Sequence, residues 1–353
     1  MGSEMCIRDS LLTAAKGFAI DSVWSADQCN QGASYALNAS ALGDDPSWID
    51  HSLDLFLMIN KFRHKMKAPI IGIGHSMGCA KLVYLASIHP RLFHSLILID
   101  PVLQDFAPPG PNAALFSSMR REHWPSRAEA EAQISSNAFF SSMDPRALKK
   151  FLAFALKDTS NGGVTLSTPK AQEAWTYVRS NLLPLSEDTL EGRYRERVLN
   201  PELVPFSEHG TLKFMRPELL AVCDAMPHLS PRTLYVYGEY SHINHDEVRT
   251  YHVNNTGTGR GGNGGVAEDG VKQVEIVDCG HLCVFEKPGM IAKHVSDWLG
   301  HEMARWKEER SIWDNVNTGR SKNNQTELSD AWMTAVKEDT MAERSKAADK
   351  AKL

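Results

Sequence analysis

Long apolar runs are missing from this sequence. None approaches the roughly 18 residues that a membrane-spanning helix needs, and no apolar stretch follows a basic flank near the N-terminus. Neither a transmembrane segment nor a secretory leader is therefore expected. Cysteine is sparse: the six thiols, Cys6, Cys29, Cys79, Cys223, Cys279 and Cys283, form no C-x-x-C pair. That spacing argues against a zinc site and a small disulfide framework, and it suits reduced thiols inside a cell. No strong excess of charge exists either. A formal net charge of -5 and a pI near 6.3 supply no whole-chain attraction to nucleic acid or to an anionic membrane surface, so neither is an expected partner.

What is present is enough apolar material for a large core. The 353 residues are 42% hydrophobic and 23% charged, which fits one large domain with insertions, or two domains. Strand-like apolar runs rich in β-branched residues are predicted at Phe18–Trp24, Pro69–Ile73, Ser95–Ile99, Thr233–Tyr237 and Val271–Val277. Segments of helical period, Pro46–Phe62, Met77–Ser87 and Phe285–Trp298, lie among them or follow the last. Strands alternating with helices predict an α/β fold, a mostly parallel sheet with helices on both faces.

The alternation stops between Asp100 and Arg232, where the chain reads as helices broken by proline. The expected organisation is a leader at 1–10, a sheet core at 11–102, a helical cap at 103–230, core again at 231–300, and a helical tail at 301–353. A cap of this kind covers a cleft and walls its pocket. The run GTGRGGNGG at Gly257–Gly265 contains a formal G-x-G-x-x-G, but its polar, glycine-rich flanks read as a flexible insertion and not as a dinucleotide turn. No cofactor and no metal are expected.

Both ends call for explanation. MGSEMCIRDS matches no helix or strand pattern and resembles translated adapter sequence. The chain stops at Ala351, Lys352 and Leu353, a variant of the S-K-L peroxisomal address in which alanine replaces serine. A peroxisomal import receptor is thus an expected partner at the C-terminus, with the cytoplasm as the alternative location. The segment from Asp330 to Lys352 reads as a charged helix with little apolar face. Oligomeric state is open, a homodimer included.

The stretch IGIGHSMGCA carries Gly74, Ser76 and Gly78 in a G-x-S-x-G pattern. Chance produces that pattern about 0.1 times in a chain of this length, so the flanks decide. A buried strand pattern precedes Ser76 and a helical pattern follows it, the context of a nucleophile elbow in which a sharp turn exposes the serine. The same turn aims the backbone N–H of Met77 at a developing oxyanion. A serine hydroxyl needs a base beside it and a carboxylate to fix that base's tautomer. His281 follows the last predicted strand and is the expected base, whereas His242 and His245 read as surface residues. From position alone the acid is either Asp100, at the end of SLILID, or a carboxylate after the next strand, Glu239 or Asp246.

Taken together, QGAS (31–34), DPSW (45–48), INKFR (59–63), GIGHSMG (72–78), HPRLFHSLILIDPV (89–102), HWPSR (123–127) and DPR (144–146) resemble fungal α/β-hydrolases of toxin and secondary-metabolite biosynthesis. Those include the peroxisomal acyl-CoA hydrolase of the mycophenolic acid pathway and AK-toxin esterase-like proteins. The resemblance runs from about Leu11 to Leu353. It implies that the acid follows the strand after the nucleophile helix, which selects Asp100, and it agrees with a peroxisomal ending. Family members begin with further strands and a loop bearing the second oxyanion donor, so this chain is expected to be truncated at its N-terminus.

The expected function is a serine hydrolase cleaving an acyl-CoA thioester or a related ester through an acyl-enzyme. Arg120, Arg121 and Arg127 are candidates to meet coenzyme A phosphates, against the alternative of a solvated basic face. A hydrolase-like binding protein that has lost catalysis is the competing expectation.

Overall fold

Two apolar five-residue runs set the architecture. In the computed structural model of the chain, which describes residues 9–11, 17–106, 112–179, 189–199, 201, 216–318 and 326–338, Ile71–His75 forms β1 and Ser95–Ile99 forms β2. They join β6 (Arg232–Gly238) and β7 (Val271–Ile276) in a parallel sheet of order β1-β2-β6-β7. Parallel strands need crossovers, and helices supply them. Trp48–Phe62 precedes β1, Met77–Ile88 links β1 to β2, and Asp246–Asn255 lies between β6 and β7.

The central strands read as continuous apolar runs because both of their faces are covered. Leu96, Leu98, Tyr235 and Tyr237 point to one side, into a cluster with Leu82, Val83 and Leu85 of the helix Met77–Ile88. The alternate residues Ile97, Ile99, Leu234 and Val236 point to the other. There they meet Ile291, Ala292, Val295, Trp298 and Leu299, a three-and-four spacing that draws one stripe down the helix Pro288–Asn317.

Several boundaries differ from the sequence reading. Phe18–Trp24 forms no strand: a strand requires a hydrogen-bonded neighbour, and this segment has none among the described strands. Its alternation survives as packing, with Phe18 and Ile20 against the second cluster. The helix predicted from Pro46 starts at Trp48, because the Ser47 hydroxyl accepts the Ile49 N–H at 3.2 Å and caps it. The helix predicted from Phe285 is divided into Cys283–Glu286 and Pro288–Asn317, since Pro288 can open a helix but not continue one.

The glycine-rich run is also tied down where a flexible insertion was expected. Gly257 N–H donates to Met226 O at 2.9 Å, Gly259 N–H to Pro227 O at 2.7 Å and Asn263 N–H to Leu229 O at 2.9 Å. A helix precedes this run, and β7 follows it after one helical turn at Gly265–Glu268. That order reverses what a dinucleotide turn requires.

Between β2 and β6 the described elements include the helices Arg127–Ser136, Pro145–Ala155 and Lys170–Tyr177. With them stands a second sheet of order β3-β5-β4, formed by His123–Trp124 (β3), Leu156–Asp158 (β4) and Val164–Leu166 (β5). Strands this short carry no readable period, so sequence showed only helices there. Trp124, Ala130, Ile134, Leu156, Val164 and Leu166 give this part its own small core. Nearer β6, the helix Glu218–Ala225 sends Leu219 and Val222 into the first cluster of the main sheet.

The chain divides into two units, Met1–Met303 and Ala304–Leu353. The second includes the helix Asp330–Glu338; Ala351, Lys352 and Leu353 lie outside the described residues, as do residues 1–8 of the expected leader. Among the described residues no helix is long and apolar enough to cross a membrane.

Candidate active site

The carboxyl edge of the parallel sheet gathers the polar groups. One residue beyond each of two neighbouring strands, the ladder makes a final bond and the chain turns: Ser76 N–H donates to Ile99 O at 3.0 Å, and Asp100 N–H to Val236 O at 2.7 Å. At both places the backbone enters the left-handed half of φ space, with φ 55° at Ser76 and 41° at Asp100. Non-glycine residues adopt that only when their surroundings enforce it. Because His75 pairs with Ile99 in register, Ser76 and Asp100 leave the sheet side by side.

Gly74 explains the sharpness of the first turn. A Cβ there would stand 2.9 Å from backbone atoms of Gly78 and Cys79, whereas a Cβ at Gly78 would meet nothing within 4 Å. Of the two glycines in the pattern, close packing at the turn thus requires only the first. Ser76 stands at the N-cap position of the helix Met77–Ile88 without a side-chain capping bond, and Met77, as its first residue, carries an N–H with no carbonyl one turn back to bond.

His281 arrives from the loop after β7. Its Nδ1 lies 2.5 Å from Asp100 Oδ2 and its Nε2 2.9 Å from Ser76 Oγ. With Asp100 accepting the proton on Nδ1, Nε2 is left to accept from the serine hydroxyl. Asp100 is fully buried. Burial alone would push its carboxyl up, but the hydrogen bonds from His281 and Ser241 and the charge on a protonated His281 hold it below the usual carboxylate range.

The alternative acids stand elsewhere. Glu239 Oε2 accepts the Asp278 N–H at 2.7 Å, and Asp246 opens the helix Asp246–Asn255; both line a shallow groove with His245 and Glu275. The three arginines considered for phosphate are already engaged by carboxylates. Arg120 pairs with Glu173, Arg121 with Glu129 at 2.9 Å and Arg127 with Asp158 at 2.9 Å.

Four participants escaped the sequence reading. Ser241 Oγ donates to Asp100 Oδ2 at 2.6 Å, and Gly238 N–H approaches Asp100 Oδ1 at 3.3 Å. Both contacts span some 140 residues, so no local pattern announces them. Gly238 is also where the base loop closes on β6: a Cβ there would stand 2.2 Å from Gly280 O. His242, expected at the surface, is exposed, yet its ring packs edge-on 5.8 Å from that of His281. His75 is a second ring neighbour, its centroid 5.0 Å from that of His281. It sits inside the motif, immediately before Ser76.

The arrangement can pass a proton from hydroxyl to imidazole while a buried carboxylate balances the charge that forms. Known proteins resemble the chain at the level of family and fold. The profile of the alpha/beta hydrolase family matches residues 17–294. A type I acyl-CoA thioesterase, mpaH, of Penicillium roqueforti is 33% identical over 343 residues, spanning 89% of this chain and 77% of that protein. The abhydrolase domain-containing protein AKT2 of Alternaria alternata is 25% identical across 66% of this chain and 84% of its own. Among solved structures, the peroxisomal alpha-beta-hydrolase Lpx1 of Saccharomyces cerevisiae superimposes with a TM-score of 0.63 at 18% identity, covering 98% of this chain and 82% of that one. The family resemblance read from the motifs therefore holds, and this chain belongs to the alpha/beta hydrolase family.

Proposed function

We propose that this hydrolase is a serine enzyme that cleaves an acyl-CoA thioester, or a related ester, through a covalent acyl-enzyme. The continuous relay from Ser76 through His281 to buried Asp100 carries this reading. His281 Nε2 takes the Ser76 proton as Oγ bonds to the acyl carbon, and the Met77 N–H faces the oxygen that gains charge. His281 then protonates the departing sulfur or oxygen, leaving the acyl group on Ser76. Water attacks that ester, again giving a proton to His281, and releases the carboxylic acid with Ser76 restored.

The thioester preference rests on the likeness to the Penicillium thioesterase. Neither reaction requires a cofactor. The insertion between β2 and β6 is proposed as the lid over the site, and Ala351-Lys352-Leu353 as the address for peroxisomal import. The test uses the full chain with a medium-chain acyl-CoA, following free thiol, and a p-nitrophenyl ester in parallel. Hydrolysis abolished by Ser76→Ala, with an acyl adduct on Ser76 by mass spectrometry, is the expected result. A folded protein that hydrolyses neither substrate and takes up no fluorophosphonate would instead be a binder. A fluorescent fusion with and without the last three residues tests the address.

A further inference from the structure

His75 does something that the relay above leaves unexplained. Ser76 and His281 come from opposite ends of the hydrolase core, 205 residues apart, and must keep a 2.9 Å contact. The loop bearing His281 is anchored on one flank by groups from β6 and its following loop. Asp278 N–H donates to Glu239 Oε2 at 2.7 Å, and Tyr240 N–H to Cys279 O at 2.9 Å. Its far side is held by Gly280 N–H on Glu286 Oε2 at 3.1 Å. None of these anchors refers to the strand that carries the serine.

One contact does. His75 Nε2 lies 2.8 Å from the backbone oxygen of His281, and a carbonyl can only accept, so His75 donates. Its ring also lies tilted against the His281 ring, with centroids 5.0 Å apart, and meets Phe285 edge-on at 6.4 Å. Since His75 is the residue before Ser76, this bond ties the two reacting residues together by the shortest path the chain offers. Burial, with the neighbouring His281 adding to it, pushes the His75 imidazole down to about 4. It therefore stays a neutral donor, adding no positive charge beside His281 at neutral pH.

We propose that His75 is a positioning residue for the reaction: its Nε2–H, bonded to the His281 carbonyl, fixes the distance between the Ser76 hydroxyl and the His281 imidazole. This rests on the serine-hydrolase reading, and the test separates the two. Glutamine can place an N–H near the Nε2 position without a ring, asparagine is too short to do so, and phenylalanine keeps a ring without a donor.

The experiment compares the fluorophosphonate inactivation rate constant and the apparent binding constant of wild type with those of His75→Gln, His75→Asn and His75→Phe in the full chain. Folding is checked by circular dichroism. The expected outcome is a rate constant about 10 to 100-fold lower for Asn and Phe, with binding unchanged within about threefold and Gln within about fivefold of wild type. If Phe fails to fold, the Gln-against-Asn comparison carries the test. Labelled wild type with Gln and Asn reacting equally fast, or equally slowly, overturns the role of His75 and leaves the relay standing. Wild type that takes up no label overturns both.

Discussion

Asp100 and Ser241, 141 residues apart, share a 2.6 Å hydrogen bond in a site where the carboxylate is fully buried. That bond, with the one from His281, allows the charge to stay where burial opposes it. Asp100→Asn keeps the shape but presents an amide, which favours the wrong imidazole tautomer. Turnover is expected to fall by about 10⁴-fold. Ser241→Ala removes one of the two side-chain donors and should cost about 10-fold. Steady-state hydrolysis of one ester by both variants checks the ranking.

The backbone of Ser76, at φ 55° and ψ −124°, occupies a region that glycine enters readily. Ser76→Gly should relieve roughly 1–3 kcal/mol of strain, against about 0.5–1 kcal/mol of added chain entropy in the unfolded state. The inactive glycine variant should therefore melt above the inactive Ser76→Ala variant. Equal melting temperatures would show that the turn stores no strain.

Lys81 is buried, donates to Gln28 Oε1 and stands 3.6 Å from Met77 Sδ. Burial, the main cause, lowers its ammonium from 10.5 to about 7. Between those values the unfolded chain binds the proton and the folded one does not, so stability must rise with pH from about 7 to 10.5 and be least below that window. Lys81→Met should flatten this rise and stabilise the protein at pH 6. Denaturant melts of both proteins at pH 6, 8 and 10 provide the comparison.

Two glycines should respond in opposite ways. Gly238→Ala drives a methyl against Gly280 O, 2.2 Å away, on the loop that carries His281. Loss of activity with destabilisation of several kcal/mol is expected, as for other overpacked sites (about 1–3 kcal/mol or more). Gly78→Ala places its methyl in open space within a helix, where alanine is favoured by about 1 kcal/mol. It should melt at or above wild type and remain active.

Much of this site could be read before any coordinates. The strand SLILI was placed to the residue, because an apolar run bounded by polar positions leaves little choice. The meeting of Ser76 and His281 was legible from what surrounds them, a strand turning into a helix and the loop after the last strand. Which carboxylate meets His281 was not legible from position alone: Asp100, Glu239 and Asp246 all follow strands, and only the family resemblance favoured Asp100, the one that the structure brings to the imidazole. Ser241, Gly238 and His242 were hidden for a different reason. Their importance lies in what they touch across the fold, and a loop sequence such as GEYSHINH carries no period to reveal it. Phe18–Trp24 misled in the reverse sense, since alternation records which side chains turn inward and not whether a neighbour completes the ladder.

β1 lies at one margin of the main sheet as described, with β2 as its partner and Ile73 39% exposed. Among the described residues, the strand that delivers Ser76 thus has a strand partner on one side. Amide protons along Ile71–His75 that point away from β2 should trade with solvent sooner than those of Ser95–Ile99. Breathing of that border would reach the serine before it reached the imidazole, so whatever quiets this single strand should slow its amide exchange while leaving the serine held for more of the time within reach of His281.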